Sequence, residues 1–374
     1  MSNEAHRRIR QLFDRANELP AELRDAFLIE ESANDEDLLQ RLRAMLAAAA
    51  DKRFLATTES HHLLPNKFEN KTMTKTILIT GCSSGFGRLA AVRFAQEGNR
   101  VYATMRGVDG KNAAVASELL AMAKKESIDL RVLELDVCST ASVDAAAARV
   151  LEESGAPDVI INNAGQMFVG VTEAFDADEL ARQLDINVVG VHRVHRAFLP
   201  AMRAQGKGLC IAISSVAGRL TIPFFGIYHA SKWGLEGYAQ ALRTELATSG
   251  VDVVVVEPGP FTTALFPTSP KPADKDGRGK TYPAVVHETF EALGKSFDEL
   301  FQSDDGSTDP MLVVERIVEL VAMAPGSRPF RSVVGVNFGV AELNQLCAPQ
   351  EAAVLAAMQL TEFATLSSSS AKPK

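Results

Sequence analysis

Cysteine is scarce in this 374-residue chain, and the four present, Cys82, Cys138, Cys210 and Cys347, lie too far apart to pair as metal ligands. That excludes a cysteine-built metal module. Cys138 and Cys210 stand in or beside apolar strand-like runs, where a thiol acts as a small hydrophobe. An excess of basic charge is missing too. The formal net charge is −8, with both signs interspersed, so no basic surface for nucleic acid is expected. No apolar run is long enough to cross a bilayer, and none near the start has the form of a signal peptide. His61-His62 has no third ligand at metal spacing. The expectation is a soluble, cytoplasmic protein with no metal.

What is present is enough apolar sequence, 46% of the chain, to build a large α/β domain with an added element. Residues 1–50 carry helical stripes. Ile9, Leu12, Phe13, Ala16 and Leu19 form the first, and Leu38, Leu39, Leu42, Met45 and Leu46 form the last. Residues 51–72 lose periodicity and read as a linker. From 73 onward short β-rich runs alternate with helical patterns. Strands are expected at 76–80, 100–105, 130–136, 159–162, 208–214, 252–257 and 332–335. That alternation predicts a Rossmann-like, doubly wound parallel sheet of about seven strands. Continuous runs such as Val253-Val254-Val255-Val256 fit a sheet buried on both faces. The rhythm breaks at 264–310, where a substrate lid with a helix around 284–302 is expected. The domain is drawn as 73–345, followed by a C-terminal helix at 346–366 and a disordered tail at 367–374.

Three short motifs carry chemistry. After the strand Ile77-Leu78-Ile79 comes a turn with Gly81, Gly85 and Gly87, then a helix starting near Phe86. Glycines let a backbone approach a pyrophosphate, and a helix N-terminus presents N–H groups to it. Such a turn alone also fits an ordinary strand–helix connection. Arg106 follows the second strand, where an acidic residue would bind ribose hydroxyls. An Arg there suits a 2′-phosphate and favours NADP over NAD; a solvated surface Arg is the plainer alternative. Asp136 is expected to close the third strand, either as an adenine contact or as a cap. Tyr228 and Lys232 are four residues apart, on one helix face. A neighbouring ammonium is expected to lower the phenol pKa and make Tyr228 a usable acid/base. Ser215, upstream in Ser214-Ser215-Val216-Ala217-Gly218, is positioned to hold a substrate oxygen.

In this order the motifs resemble the short-chain dehydrogenase/reductases with a Thr-Gly-x-x-x-Gly-x-Gly loop and Tyr-x-x-x-Lys, over about residues 74–340. The resemblance implies that Gly81, Ser83, Ser84, Gly85, Phe86 and Gly87 hold the cofactor phosphates and ribose. It implies that Asp136 and Val137 flank the adenine, and that Asn162, Ala164 and Gly165 support the sheet centre and a ribose. Asn187 would complete a catalytic tetrad with Ser215, Tyr228 and Lys232. In Pro258-Gly259-Pro260-Phe261-Thr262-Thr263, the residues Pro258, Gly259, Phe261 and Thr263 would contact the nicotinamide. Val-Tyr-Ala-Thr-Met-Arg at 101–106 and the Gly-Cys-Ser-Ser-Gly turn look like the steroid and retinol dehydrogenase branch. Separately, residues 1–50 are similar to a helical segment of bacterial serine/threonine kinases around Glu18–Arg24, but no kinase motif follows. Met73-Thr74-Lys75 also resembles a natural enzyme start.

These readings predict an NADP(H)-dependent oxidoreductase, with NAD(H) as the second cofactor choice, that interconverts a small apolar carbonyl and its alcohol. The resemblance further implies a homodimer or homotetramer through the helix carrying Tyr228. A dinucleotide-binding redox sensor, with residues 1–50 as its interaction module, is the alternative from another class. The intact Ser-Tyr-Lys set weighs against it. An epimerase or dehydratase would need a different glycine spacing.

Overall fold

A computed structural model describes residues 74–303 and 306–366, together with the isolated positions Leu12, Phe27, Leu28, Ile29 and Ser32. The expected linker at 51–72 and tail at 367–374 lie outside the described residues. The chain divides into two compact units, Met1–Thr72 and Met73–Lys374. The described positions of the first unit are helical, with Leu12 and Leu28 buried.

The second unit is built on seven strands: β1 (Thr76–Thr80), β2 (Arg100–Met105), β3 (Leu130–Glu134), β4 (Val159–Asn162), β5 (Gly208–Ile213), β6 (Val251–Pro258) and β7 (Arg331–Val334). Every pairing is parallel, and the order is β3-β2-β1-β4-β5-β6-β7. Between them run α1 (Gly85–Gln96), α2 (Ala113–Glu126), α3 (Thr140–Ser154), α4 (Ala177–Leu184), α5 (Gly190–Gln205), α6 (Gly226–Leu246), α7 (Ala284–Phe301), α8 (Met311–Ala322) and α9 (Val340–Ala357). The period-two alternation of a strand divides the core into two layers. Ile77, Ile79, Val101, Ala103 and Ile161 face α1, α2 and α8, meeting Phe94, Leu119 and Ile317. Leu78, Tyr102, Ile160, Cys210 and Val253 face α3, α5 and α6, meeting Val150, Phe198 and Leu235.

The strand order reverses between β1 and β4, so a crevice opens beyond their carboxyl ends. Two elements differ from expectation. β3 stops at Glu134, and Asp136 lies beyond the strand, where its Oδ1 accepts the Cys138 N–H at 3.0 Å. The C-terminal helix spans Val340–Ala357 rather than 346–366. Gly339, at φ 85°, turns the chain into it, a conformation open to glycine, and Pro349 is carried inside it. Among the described residues no helix is long and apolar enough to cross a membrane.

Candidate active site

The first wall of the crevice is the turn after β1. Thr80 anchors it: its Oγ1 accepts the N–H groups of Asn163 and Ala164, both at 3.0 Å. Asn163 reaches back, donating Nδ2 to the carbonyls of Thr80 (2.9 Å) and Gly81 (3.1 Å). Gly81, at φ 75°, passes so close to the next loop that a Cβ on it would lie 2.8 Å from Ala164 Cα. The Ser84 side chain makes no cap hydrogen bond, and the first turn of α1 has no acidic residue. Its N–H groups therefore remain available to an anion.

The opposite wall comes from β5 and α6. Ser215, just past β5, accepts the Ala217 N–H at 3.1 Å and donates to the Pro258 carbonyl at 3.3 Å. Its hydroxyl also meets the Tyr228 phenol. One turn along α6, Lys232 donates Nζ to the Ile213 carbonyl at 2.8 Å and sits 5.7 Å from the Tyr228 ring centre. Asn187 lies in a π turn, Asp185–Val189, before α5. Its Oδ1 accepts the Gln166 N–H, and its Nδ2 donates to the Gln166 carbonyl and to Ser231 Oγ, all at 2.9 Å. The Asn187 side chain thus ties the loop after β4 to α6. Gly165 lies between: a Cβ there would come 3.4 Å from Asn187 Oδ1 and 4.0 Å from Lys232 Nζ.

Electrostatics depart from the simple pair expected. Burial pushes the Tyr228 phenol up to about 12, against which the Ser215 hydrogen bond works. Burial pulls the Lys232 ammonium down to about 8, opposed by the Glu236 carboxylate. Desolvation is the largest cause at both groups.

Between the walls is a cavity of about 1050 Å³. Of the residues singled out from sequence, Gly81, Ser83, Ser84, Gly85, Phe86, Arg106, Asp136, Val137, Ala164, Gly165, Ser215, Tyr228, Lys232, Pro258, Gly259, Phe261 and Thr263 line it. Gly87, Asn162 and Asn187 stand behind the lining. Asn162 turns away to His195 Nε2, 2.9 Å from its Nδ2. Among the described residues the Arg106 side chain makes no salt bridge, and Asn112 accepts its place nearby by donating to the Arg106 carbonyl at 2.7 Å. Asn163, Lys111, Asn112, Gln166 and His229 belong to the site but were not singled out. His229 bridges Ile222 N–H (3.0 Å) and the Ala217 carbonyl (2.8 Å), and its only sequence signal is its place beside Tyr228.

Beyond Tyr228 the cavity becomes apolar. α7 has no buried residue, yet Leu293, Phe297 and Leu300 face the opening. Ring contacts fasten it: Phe266 lies 5.0 Å from Phe297 and 4.9 Å from Phe301, and Phe224 lies 4.9 Å from Phe290. Phe224 itself holds φ 73°, an unfavourable conformation for a bulky residue. Among the described residues no cluster of His, Cys, Asp or Glu could hold a metal ion.

Residues 75–273 match the short chain dehydrogenase family. The chain is 32% identical to a 3-ketodihydrosphingosine reductase of Bacteroides thetaiotaomicron over 69% of its own length and 87% of that protein. It is 41% identical to human 17-beta-hydroxysteroid dehydrogenase type 1, but that match covers 52% of the chain and 59% of the relative. The crystal structure of a short-chain dehydrogenase from Streptomyces avermitilis superposes with a TM-score of 0.57 at 30% identity, covering 76% of this chain and 98% of that one. The likeness to the steroid dehydrogenase branch, expected from the cofactor half, is thus met. The chain belongs to the short-chain dehydrogenase family, whose members are oxidoreductases acting on alcohol and carbonyl groups.

Proposed function

We propose that the chain is an NADP(H)-dependent oxidoreductase that interconverts an apolar carbonyl compound and its alcohol, with Tyr228 as general acid/base. The observation that carries this is the convergence of Ser215, Tyr228 and Lys232 on one wall of a cavity that begins at the glycine turn. The turn suits a dinucleotide. Side chains at Gly81 and Gly87 would fill the space the backbone needs, and the uncapped start of α1 offers N–H groups to phosphates. Gly85 and Phe86 stand at that start, Ser83 and Ser84 beside it.

Arg106 supports the choice of NADP, because it lines the cavity and, among the described residues, its guanidinium has no salt bridge, which suits a 2′-phosphate. Asp136 and Val137 would flank the adenine. Ala164, Gly165, Pro258, Gly259, Phe261 and Thr263 would line the nicotinamide half, with Asn162 holding the sheet behind it. When bound, the nicotinamide supplies or accepts the hydride.

The protein's own residues handle the proton. A phenol held near 12 keeps its hydrogen at neutral pH and is ready to donate it to a carbonyl oxygen, which suits the reductive direction. Ser215 would orient that oxygen. Lys232 would bring positive charge to the phenolate left behind, and a water held at the Asn187 turn would return the proton. The test is consumption of NADPH and NADH against a panel of apolar ketones and aldehydes. Turnover with NADPH is expected, and binding without turnover across the panel would favour a redox sensor instead.

A further inference from the structure

Behind Lys232, away from the cavity, two buried carboxylates face one guanidinium. Glu236 lies on α6 one turn past Lys232, and Glu257 is the β6 residue just before Pro258. Their exposures are 3% and 0%. Arg331 of β7 donates Nε to Glu236 Oε2 at 3.0 Å, while Glu257 Oε1 lies 3.8 Å from the same nitrogen. The rest of the Arg331 fork is committed: Nη1 to Glu351 of α9 at 3.0 Å and Nη2 to Gln240 at 2.9 Å. Among the described residues the Glu257 side chain is left with one hydrogen-bond donor, the neutral Asn344 amide of α9, at 2.6 Å. Among the described residues neither Glu236 Oε1 nor Glu257 Oε1, both buried, has a hydrogen-bond partner.

Among the described residues the one cation bonded to this pair is the shared Arg331 guanidinium, with Lys232 and Arg219 acting only from further off, so two ionised carboxylates are poorly compensated in the buried site, at a cost of several kcal/mol. One proton removes that cost. On Glu257 it turns an orphaned acceptor into a donor, where the two carboxylates converge on the same Arg331 Nε at 3.0 and 3.8 Å. We propose that Glu236 and Glu257 share a single proton at neutral pH, and that the charge left on Glu236, held by Arg331, is a positioning device that keeps Lys232 an ammonium.

The charged groups around the pair agree. Arg331 faces it from β7 and Glu351 backs Arg331 from α9. Arg219, past β5, donates to Asn344 at 2.8 Å. Burial, then the Glu236 charge, hold Glu257 well above the usual carboxylate range, against the Asn344 hydrogen bond and the Arg331 and Arg219 charges. Around Lys232, Glu236 provides the opposing charge and Tyr228 the neighbouring titratable group. Arg331 of β7 and Asn344 of α9, neither of which lines the cavity, would thereby set the protonation of a residue in it.

The inference rests on the reading of Lys232 as catalytic, so the test has one arm that needs no turnover. Infrared spectra of the wild-type protein should show the C=O stretch of a protonated carboxylic acid at pH 7, shifted in D2O and lost in Glu257→Gln. Absence of that band in the wild type would overturn the shared proton. The second arm is the pH profile of kcat/KM. Glu236→Gln removes the charge that favours the ammonium, so the alkaline limb should move down by about one pH unit. The variant would then lose roughly tenfold in activity on that limb while staying within a few-fold of wild type near pH 6.5. Glu257→Gln, which mimics the neutral acid, should keep the wild-type limb. An unmoved limb in Glu236→Gln would overturn the link to Lys232. Should Lys232→Met remain active, the catalytic reading fails while the infrared result still stands.

Discussion

Gly87→Ala tests the glycine turn directly. Gly87 is in the first turn of α1 with an ordinary helical φ, so alanine gains there about 0.5–1 kcal/mol of helix propensity. Packing opposes it. The new Cβ would overlap Asn163 Nδ2 and lie 2.6 Å from the Gly81 carbonyl oxygen. Asn163 cannot move aside without losing its bonds to the Thr80 and Gly81 carbonyls. Two hydrogen bonds at about 1 kcal/mol each, with about 1–3 kcal/mol of overpacking, outweigh the propensity gain and leave a net loss of about 2–4 kcal/mol. Gly85→Ala is the control. Its Cβ meets nothing nearer than Thr263 at 3.8 Å, so its cost is the left-handed backbone alone, about 1–2 kcal/mol. Urea unfolding gives the stabilities and NADPH fluorescence titration the affinities. Gly87→Ala should be the more destabilised of the two, and adding Asn163→Ala should recover at least about 1 kcal/mol relative to additivity. If Gly87→Ala unfolds at the wild-type midpoint and binds NADPH within twofold of wild type, the crossing of the two loops does not constrain the turn as described.

Other outcomes follow from the same geometry. Tyr228→Phe should lower turnover by roughly a hundredfold to ten-thousandfold while NADPH still binds; near-normal turnover on a true substrate would place the proton donor elsewhere. Arg106→Ala should weaken NADPH binding by roughly ten- to a hundredfold, about 1.5–3 kcal/mol, and leave NADH binding little changed. Met105, beside it, is 2% exposed, so a carboxylate introduced there would disturb the core rather than test the preference. Burial holds His195 down at about 3, so it stays neutral in the folded chain while an unfolded one protonates below about 6.5. Its contribution is complete above 6.5 and fades as pH falls toward 3, by up to about 1.4 kcal/mol per unit. Unfolding midpoints of His195→Gln should therefore fall less steeply with acid than those of wild type, and parallel slopes would refute the assignment.

Much of the fold could be read in the residues because its strands are short apolar runs closed by glycine or polar turns. The expected spans of β1, β2 and β4 coincide with the observed ones. β3 ends early because the Asp136 backbone N–H donates to Ser142 Oγ instead of to a neighbouring strand. The C-terminal helix was misplaced because its apolar positions form no stripe against a core; only Val340 of it is buried. At the site, motif spacing singles out Tyr228 and Lys232. It does not show that Asn187 spends its side chain on Gln166 and Ser231, since those contacts join distant segments; Glu236, one turn past Lys232, lies on the helix face that the same spacing picks out, but its burial against β6 and β7 does not show in the sequence. The pKa of Tyr228 departs from the lowering that Lys232 suggests because burial, a property of the packed site, is the largest cause and raises it.

The helix α7 is a core element with half its core missing. Its aromatic face packs on Phe266, Phe224 and Phe225, while Leu293, Phe297 and Leu300 open on the cavity and no residue of the helix is fully buried. Such an element draws little of its stability from the chain itself. An apolar ligand would supply the absent layer, so recognition and completion of the fold would be one event. Its calorimetric mark would be a negative heat-capacity change that grows with the apolar area of the ligand, together with slower amide exchange along α7.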